Sequence, residues 1–336
     1  MTDKTPLLLS IFLFITCAFH EHTPREASWT LYSSQNTPLP HDSVTAIATD
    51  YQNRTWIGTS KGVACYDGES WTVYTYDDSL LPSNRVTAIA TGSSGVVWIG
   101  TRYGLSRFCN GSWTIFTTKN TGLDGMCIYC CAVDITGMLW CGVTVPEVVA
   151  FGLTTFDGSQ WINYTLFNTP LPSNMVMAIV FDAADTAWIG TKWGGLARLH
   201  NSQWTVYNDT NSALPDRSIL SVAVDNQNNK WLGTDFGGLV CYTGSQWIVH
   251  DTTTPGFVGN HVPIVAADPG GSVWAAIYDP IAGEACLGRI TNNQWTFYTS
   301  QNSSLPSDSV TALAVESAAV RWIGTPRGCV RFCDGE

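Results

Sequence analysis

The chain is organised around pairs of tryptophan residues, and the two members of every pair lie 27 residues apart. The first member begins a segment such as WTVY, and the second begins a segment such as WIGT. The pairs are Trp29 and Trp56, Trp71 and Trp98, Trp113 and Trp140, Trp161 and Trp188, Trp204 and Trp231, Trp247 and Trp274, and Trp295 and Trp322. Only Trp193 lies outside this pattern. Because the first members recur every 42 to 48 residues, the sequence predicts seven similar supersecondary units.

Each unit contains four short apolar segments with strand-forming residues, bounded by Gly, Asn, Asp, Ser or Pro. Four strands per unit of this length are typical of a propeller blade. The first segment, Trp29 to Tyr32, is a fourth strand with no blade before it, and the last unit stops at Cys333 after three strands. We therefore predict an all-β, seven-bladed β-propeller over residues 28–336, with four antiparallel strands per blade. The N-terminal strand should complete the last blade and leave no long open sheet edge.

A motif that suggests catalysis occurs inside the first repeat. Gly58 to Gly62 reads GTSKG, which matches the G-x-S-x-G pattern of serine hydrolases. That pattern needs a helix after the serine, whereas a β-rich segment follows here. The slot of Ser60 is occupied by different residues in the other copies: Arg102, Lys192, Asp235 and Pro326. The motif therefore indicates a repeated turn rather than a nucleophile.

The segment LPSNRVTAIATGSSGVVWIGTRYGLSRF resembles the two-component regulator propeller repeat, and five of the seven copies keep both Leu-Pro and W-[IL]-G-T. In that family the repeats form the extracytoplasmic sensor part of membrane-bound hybrid histidine kinases, and they also occur in free-standing exported proteins. The resemblance implies a sensor-like propeller that binds a carbohydrate or peptide ligand, or docks onto an envelope sensor protein. A propeller scaffold hosts many activities, so the fold alone does not specify the function.

The N-terminus and the charge limit the location and the partners. Residues 1–18 have a Lys near the start and then an apolar run, which predicts a signal peptide. A lipoprotein cleavage before Cys17 is the alternative. We expect an exported, periplasmic or extracellular monomer with no membrane span and no cofactor. The net charge of −11 without a Lys/Arg cluster argues against nucleic acid or anionic membranes as partners.

The cysteines and histidines do not form an obvious metal site. Cys127, Cys130, Cys131 and Cys141 lie close together in the third repeat, where Cys141 should face Cys130 or Cys131 across a hairpin. A cross-strand disulfide is therefore possible, and the C-x-x-C spacing of Cys127 and Cys130 is formally a metal or redox motif. Positions i and i+3 of a strand point to opposite faces, so we predict no metal site. His250 replaces the Tyr or Phe of other repeats as an aromatic ring.

The variable part of the repeated turn predicts the ligand-binding site. The pairs before the turn glycine are Ser60-Lys61, Arg102-Tyr103, Lys192-Trp193, Asp235-Phe236 and Pro326-Arg327. Three pairs carry an aromatic ring at the same place, and aromatic rings flanked by charged groups suit sugars or side chains. We predict that Arg102, Tyr103, Lys192, Trp193, Asp235, Phe236 and Arg327 bind ligand. The alternative is that these rings only pack against neighbouring loops.

Two repeats depart from the rule and suggest an alternative function. The third and sixth are longer after their second tryptophan and lose both IGT and Leu-Pro, having Leu123-Asp124 and Phe257-Val258 instead. Their long loops should lie on the same propeller face as the repeated turns, nearly opposite each other. Glu147, Asp279 and Glu284 in these loops could act as general acid and base in a lyase or glycan-cleaving enzyme.

Overall fold

The computed structural model describes residues 27–77, 81–121, 127–145 and 149–335. These residues form seven four-stranded antiparallel sheets, with one short helix, α1 (Thr118–Thr121). The structure therefore confirms the predicted seven-bladed propeller. The predicted signal peptide, Cys17, the Leu123-Asp124 pair and Glu147 lie outside the described residues.

We label the strands of each blade A to D from the inside of the ring outwards. Strand β1 (Ser28–Tyr32) is the D strand of blade 7, and the other strands follow in chain order. Blade 1 contains β2 (Val44–Thr49), β3 (Thr55–Thr59), β4 (Gly62–Tyr66) and β5 (Trp71–Tyr74); blade 2 contains β6 (Val86–Thr91), β7 (Val97–Thr101), β8 (Gly104–Cys109) and β9 (Ser112–Phe116). Blade 3 contains β10 (Cys127–Val133), β11 (Leu139–Val145), β12 (Val149–Phe156) and β13 (Trp161–Tyr164); blade 4 contains β14 (Val176–Phe181), β15 (Ala187–Thr191), β16 (Gly195–His200) and β17 (Gln203–Tyr207). Blade 5 contains β18 (Ile219–Val224), β19 (Lys230–Thr234), β20 (Leu239–Tyr242) and β21 (Trp247–His250); blade 6 contains β22 (His261–Ala267), β23 (Val273–Tyr278), β24 (Ala285–Thr291) and β25 (Gln294–Tyr298). Blade 7 contains β26 (Ala312–Val315), β27 (Val320–Thr325) and β28 (Gly328–Cys333), followed by β1.

The N-terminal strand closes the ring as predicted. Strand β1 pairs antiparallel with β28, with Trp29 opposite Phe332. Their rings lie 4.5 Å apart, so the closure also buries aromatic surface. Blade 7 contacts blade 1 through the hydroxyl of Thr311, which donates to the carbonyl of Val44 at 2.7 Å. The first and the last described strands therefore belong to one sheet.

The paired tryptophans are core residues of the propeller. Those on the B strands pack in the hydrophobic clusters between blades, and those on the D strands cover these clusters as half-buried rings. The B-strand ring typically stacks on the aromatic residue that ends the D strand, as Trp56 does on Tyr74 at 5.8 Å. In blade 5 this partner is His250, which lies 5.9 Å from Trp231, so the expected ring-for-ring replacement is confirmed. Burial lowers the pKa of His250.

An acidic residue in the A–B turn orients the B-strand tryptophan. In blade 1, Asp50 accepts the indole N–H of Trp56 at 3.0 Å and also caps its own turn by accepting the backbone N–H of Gln52. The same indole bond occurs in five other blades, from Trp140 to Asp134, Trp188 to Asp182, Trp231 to Asp225, Trp274 to Asp268 and Trp322 to Glu316. The acid therefore satisfies a buried donor and fixes the turn at once.

The W-[IL]-G-T-x-x-G motif is explained by close backbone approaches. A Cβ added to Gly58 would lie 2.5 Å from the side chain of Val86 in the next blade, so this glycine allows neighbouring blades to pack. Gly62 has a φ of 131°, and a Cβ there would lie 2.7 Å from the carbonyl oxygen of Tyr74. The hydroxyl of Thr59 donates to the carbonyl of Gly62 at 2.9 Å. The motif is therefore structural, and Ser60 lies in a strand-to-strand turn without a following helix.

The connections divide the loops between two faces. Because the four strands of a blade alternate in direction, the B–C turns and the D-to-A connections open on one face, which we call the upper face. The A–B and C–D turns open on the opposite, lower face. The predicted ligand-binding residues all lie in B–C turns and therefore on the upper face. The loop between β23 and β24 in the long blade 6 opens on the same face, as predicted.

Candidate functional site

The aromatic residues of the B–C turns point into solvent rather than packing against neighbouring loops. Tyr103 is 57% exposed, Trp193 64% and Phe236 69%. Their turns are nevertheless anchored, because the backbone N–H groups of Arg102, Lys192 and Asp235 each donate to the connection that leads into strand A of the same blade. The upper face therefore presents large exposed rings on short turns that are held in place.

A polar cluster links the turns of blades 4, 5 and 6. The Lys192 ammonium lies 3.8 Å from the Asp235 carboxylate, and the other oxygen of Asp235 lies 2.9 Å from Nδ1 of His261. Nδ1 also lies 3.2 Å from the Asp235 carbonyl. Both of these oxygens accept, so Nδ1 carries a proton and Asp235 fixes the orientation of the imidazole. Among the described residues, the other ring nitrogen, Nε2, has no hydrogen-bond partner and can face a ligand.

Aromatic rings flank this cluster on two sides. The Lys192 ammonium lies 5.3 Å from the centre of the Trp193 ring, and the His261 ring lies 6.0 Å from the Tyr278 ring in an edge-to-face arrangement. Phe236 follows Asp235 directly, and its backbone N–H donates to the Asp216 carboxylate at 2.7 Å. We call Lys192, Trp193, Asp235, Phe236, His261 and Tyr278 the blade 4–6 cluster. It combines hydrogen-bond donors, an acceptor and apolar faces, as small-ligand sites do.

The backbone of Trp193 is held in a conformation that favours glycine. Its φ is 66°, in the left-handed region that bulky residues rarely adopt. Its N–H lies 3.3 Å from the hydroxyl of Ser218, in the connection leading into blade 5. Non-glycine residues held in this region often lie at functional sites. The position is therefore a candidate for function rather than for stability.

The remaining predicted residues lie on the same face but in other blades. The Arg102 guanidinium lies 5.7 Å from the Tyr103 ring, and Arg327 reaches the carbonyl of Pro306 at 3.5 Å. Within the described ranges, no hydrogen bond, ion pair or ring contact joins Arg102, Tyr103 or Arg327 to the blade 4–6 cluster. The structure thus brings together Lys192, Trp193, Asp235 and Phe236, and it places the other three apart from them.

The sequence did not single out His261 or Tyr278 as site residues. His261 occupies the position just before the first buried residue of strand A, where other blades have Ser43, Arg85, Cys127, Met175, Ser218 and Ser309. This variability was the available signal. Tyr278 ends β23 in the longer blade 6 and is also exposed.

Two residues of the enzyme alternative, Asp279 and Glu284, lie in the loop between β23 and β24 of blade 6. The Asp279 carboxylate accepts the backbone N–H groups of Ile281 at 2.7 Å and Ala282 at 3.1 Å, so it caps its own loop. The Glu284 carbonyl accepts the N–H of Asp279, which closes the base of this loop. Asp279 therefore has a clear structural role.

The cysteines of blade 3 are free thiols in the structure. Cys131 lies directly opposite Cys141 across β10 and β11, and both pack in the core cluster shared with blade 2. Cys130 points to the other side and lies 3.8 Å from the carbonyl of Val176 in blade 4. Burial raises the pKa of Cys130 to about 12. In the ranges that the structure covers, no group of three or more His, Cys, Asp or Glu side chains could hold a metal ion.

A concave region lies between the lower turns of blades 5 and 6. This cleft has a volume of about 430 Å³, and its lining includes Asp225, Asn226 and Asn229. The Asn229 amide donates to Asp225 at 2.8 Å, and the Asn226 amide donates to the carbonyl of Pro269 at 3.2 Å. These two amides therefore hold turns together.

Comparison with known proteins supports the repeat and the fold. The family model of the two-component regulator propeller matches residues 38–61 and 80–103. No curated protein sequence matches the chain significantly. Within the described ranges, no helix has the length and apolar character needed to cross a membrane.

Three solved structures illustrate the similarity in fold. An extracellular domain assigned to a hybrid two-component system of B. thetaiotaomicron superposes with a TM-score of 0.75 and 22% identity, over 91% of this chain and 41% of that domain. Virginiamycin B lyase from Staphylococcus aureus superposes with a TM-score of 0.70 and 15% identity, over 92% of this chain and 99% of the lyase. PorZ, a surface component of the type-IX secretion system of Porphyromonas gingivalis, superposes with a TM-score of 0.69 and 17% identity, over 87% of this chain and 46% of the PorZ chain.

These identities support a shared fold only. The chain spans about two fifths of the length of the sensor domain. The repeat motif, the family match and the ring of seven blades agree with one another. The chain therefore carries two-component regulator propeller repeats and folds as a seven-bladed β-propeller.

Proposed function

We propose that this protein is an exported, non-enzymatic binding module that recognises a carbohydrate or peptide ligand, or an envelope partner, through its upper face. The observation that carries the proposal is the exposure of Tyr103, Trp193 and Phe236 at equivalent positions of anchored turns. Large rings that remain exposed on a rigid scaffold offer contact area at a low entropic cost. The similarity to an extracellular sensor domain and the apolar N-terminal segment support export.

Binding at this face would combine stacking and oriented hydrogen bonds. Trp193 and Phe236 offer apolar faces to a sugar ring or a side chain. The Lys192 ammonium and Nε2 of His261 offer polar contacts between them, and Asp235 holds both of these groups in place. Arg102, Tyr103 and Arg327 would contact a longer ligand in other blades. Docking onto an envelope sensor protein would report the binding.

The test is a pair of aromatic truncations with matched controls. Trp193→Ala and Tyr103→Ala should each weaken ligand binding by about 1 kcal/mol or more and leave the melting temperature nearly unchanged. Tyr51→Ala is the matched control, because Tyr51 is 56% exposed on the lower face. Trp98→Ala, in the core, should instead cost about 3–5 kcal/mol of stability. A thermal-shift screen against glycans and peptides identifies the ligand, since binding raises the melting temperature.

Two outcomes would contradict the proposal. Unchanged affinity in both Trp193→Ala and Tyr103→Ala would place the site elsewhere. A loss of stability as large as that of Trp98→Ala would make Trp193 a core residue.

The second candidate function is a lyase-type or glycan-cleaving enzyme, and the contact between Asp235 and His261 favours it. An imidazole oriented by a carboxylate can act as a general base. The virginiamycin B lyase has the same fold but only 15% identity to this chain. Turnover of a bound ligand that is lost in His261→Ala, while binding persists, would support the enzyme. Binding without turnover supports the binding module.

A further inference from the structure

Most of the described cationic side chains are held by a carboxylate or by the ring of a blade tryptophan. Of the fourteen lysines and arginines in the described ranges, nine form an ion pair or lie over the ring of a blade tryptophan. These nine are Arg54, Arg107, Lys192, Arg198, Arg217, Lys230, Arg289, Arg321 and Arg331. The other five described cations do neither, and they are Lys61, Arg85, Arg102, Lys119 and Arg327.

These five cations share one side of one face, and we call them the basic arc. Lys61, Arg102 and Arg327 lie in the B–C turns of blades 1, 2 and 7, which are consecutive in the ring. Arg85 immediately precedes β6, and Lys119 lies in α1 on the connection that leaves blade 2. All five side chains are exposed. In a chain with a net charge of −11, such a concentration of unpaired cations is unexpected without an anionic partner.

The acids of the upper face are distributed differently. The described acids beside the basic arc are Asp42, Asp77 and Asp308, and the carboxylates of Asp42 and Asp308 accept backbone N–H groups of their own connections. The connections and turns of blades 4 to 6 carry more acids: Asp209, Asp216, Asp235, Asp251, Asp279 and Glu284. Among the described residues of the upper face, cations therefore outnumber acids over blades 7, 1 and 2, and acids outnumber cations over blades 4 to 6.

We infer that the ligand of the upper face is an acidic oligosaccharide, whose sugar carboxylates are bound by the basic arc; this inference rests on the proposed function. Arginine side chains bind carboxylates in a bidentate manner, and Tyr103 beside Arg102 offers a flat face for a sugar ring. The acids opposite the arc limit the anionic part of the ligand to a few sugar units. They also repel a long polyanion such as nucleic acid.

The backbone of the turns argues for a glycan over an acidic peptide. The N–H groups of Ser60 and Arg102 already donate to the carbonyls of Ser43 and Arg85. An extended peptide gains much of its affinity from main-chain hydrogen bonds to an open sheet edge. The turns of the arc leave side chains as the main recognition elements, and these suit the carboxylates, hydroxyls and flat faces of sugars.

The experiment uses uronate oligosaccharides and their methyl esters as probes. Oligogalacturonates and alginate oligomers of four to six units are titrated calorimetrically into the full chain, each beside its methyl ester. Esterification removes the charge and keeps the sugar ring. At least one acidic oligomer should bind at least tenfold more tightly than its ester, and raising NaCl from 50 to 500 mM should weaken it.

Charge-neutralising variants locate the site. Arg102→Gln and Arg327→Gln should each weaken binding of the acidic oligomer by about tenfold, the loss expected for a hydrogen bond to a charged group. Arg217→Gln is the matched control, because Arg217 is also an exposed arginine of the upper face but is paired with Asp209. Its effect should stay within about twofold, as expected for a surface ion pair away from the ligand.

The outcomes separate this inference from the proposed function. If the methyl ester binds as tightly as the acidic oligomer, and Trp193→Ala weakens the binding of both, the acidic-glycan inference is wrong and the proposed binding module stands. Equal losses in Arg217→Gln and Arg102→Gln overturn the assignment to the basic arc. The acidic-glycan inference is also wrong if the protein binds polyglutamate but no uronate oligomer, or if it binds none of the acidic probes.

Discussion

A buried ion network between blades 6 and 7 makes the sharpest stability prediction. Arg321 on β27 pairs with Asp268 in the A–B turn of blade 6 and with Asp334 after β28. The Arg321 side chain is only 3% exposed, and that of Asp268 is fully buried. The guanidinium also lies 5.5 Å from the Trp274 ring, and the Trp274 indole donates to Asp268 at 3.2 Å. One carboxylate therefore connects two blades and a core tryptophan.

The perturbation is Asp268→Asn, which keeps the shape of the side chain and removes its charge. Removing one partner of a buried ion pair costs about 3–5 kcal/mol, because the other charge is left without compensation. Arg321 keeps Asp334 here, so we expect about 2–3 kcal/mol. For a domain of this size that corresponds to a fall in Tm of roughly 3–5 °C.

A matched control separates the charge from the turn. Asp225 occupies the same place in blade 5, where it accepts the Trp231 indole at 2.9 Å and two backbone N–H groups. Its carboxylate forms no ion pair in the described part of the chain. Asp225→Asn should therefore cost about 1 kcal/mol, the usual value of a hydrogen bond.

The assay is urea unfolding followed by tryptophan fluorescence, with calorimetry for Tm. Adding Arg321→Met to Asp268→Asn should restore part of the lost stability, because the buried guanidinium that lost the Asp268 carboxylate is then absent. The reasoning is refuted if Asp268→Asn costs no more than Asp225→Asn. It is also refuted if Arg321→Met causes a further, additive loss.

Two other predictions concern the ring closure and the acid stability. Deleting residues 1–33 removes β1 and exposes the edge of β28, so the shortened protein should aggregate or have a much lower melting temperature. If size exclusion shows a monomer and calorimetry shows an unchanged melting temperature, the closed ring is contradicted. Burial raises the pKa of Asp182, but hydrogen bonds from Trp188 and Lys230 outweigh this and lower it from 3.8 to about 2. A carboxyl group whose pKa is lowered by folding stabilises the fold at pH values above its unfolded pKa, and this stabilisation is lost as the pH falls towards the folded pKa. Between pH 4 and pH 2 the wild-type protein should therefore lose about 2 kcal/mol of unfolding free energy that Asp182→Asn does not lose. Parallel urea curves for both proteins over this range would contradict the assignment.

The fold was predictable because each blade repeats the same local sequence pattern and the same packing contacts. The pairing of tryptophans, such as Trp71 with Trp98, reflects one ring on the outer strand and one ring buried on the second strand of the next unit. The turn glycine is required because a neighbouring backbone lies too close for any side chain, as the Tyr74 carbonyl oxygen does at Gly62. Seven copies of such constraints leave few other architectures.

The candidate site was predictable only in part. The variable turn positions correctly led to exposed rings at Tyr103, Trp193 and Phe236. The sequence could not show that His261 contacts Asp235, because 26 residues separate them and they lie in different blades. Nor could it show that the Asp279 carboxylate is used within its own loop.

The sequence by itself determined the number of blades, the closure by the N-terminal strand and the turns that face solvent, because these follow from local patterns repeated at a fixed spacing. Only the tertiary structure decided which turns meet. The packing of consecutive blades sets residues of blades 4, 5 and 6 side by side and so assembles Lys192, Asp235 and His261. Ring closure places Arg327, near the end of the chain, in the blade next to that of Lys61. Contacts between blades depend on distances in the ring rather than along the chain, and for that reason no single repeat encodes them.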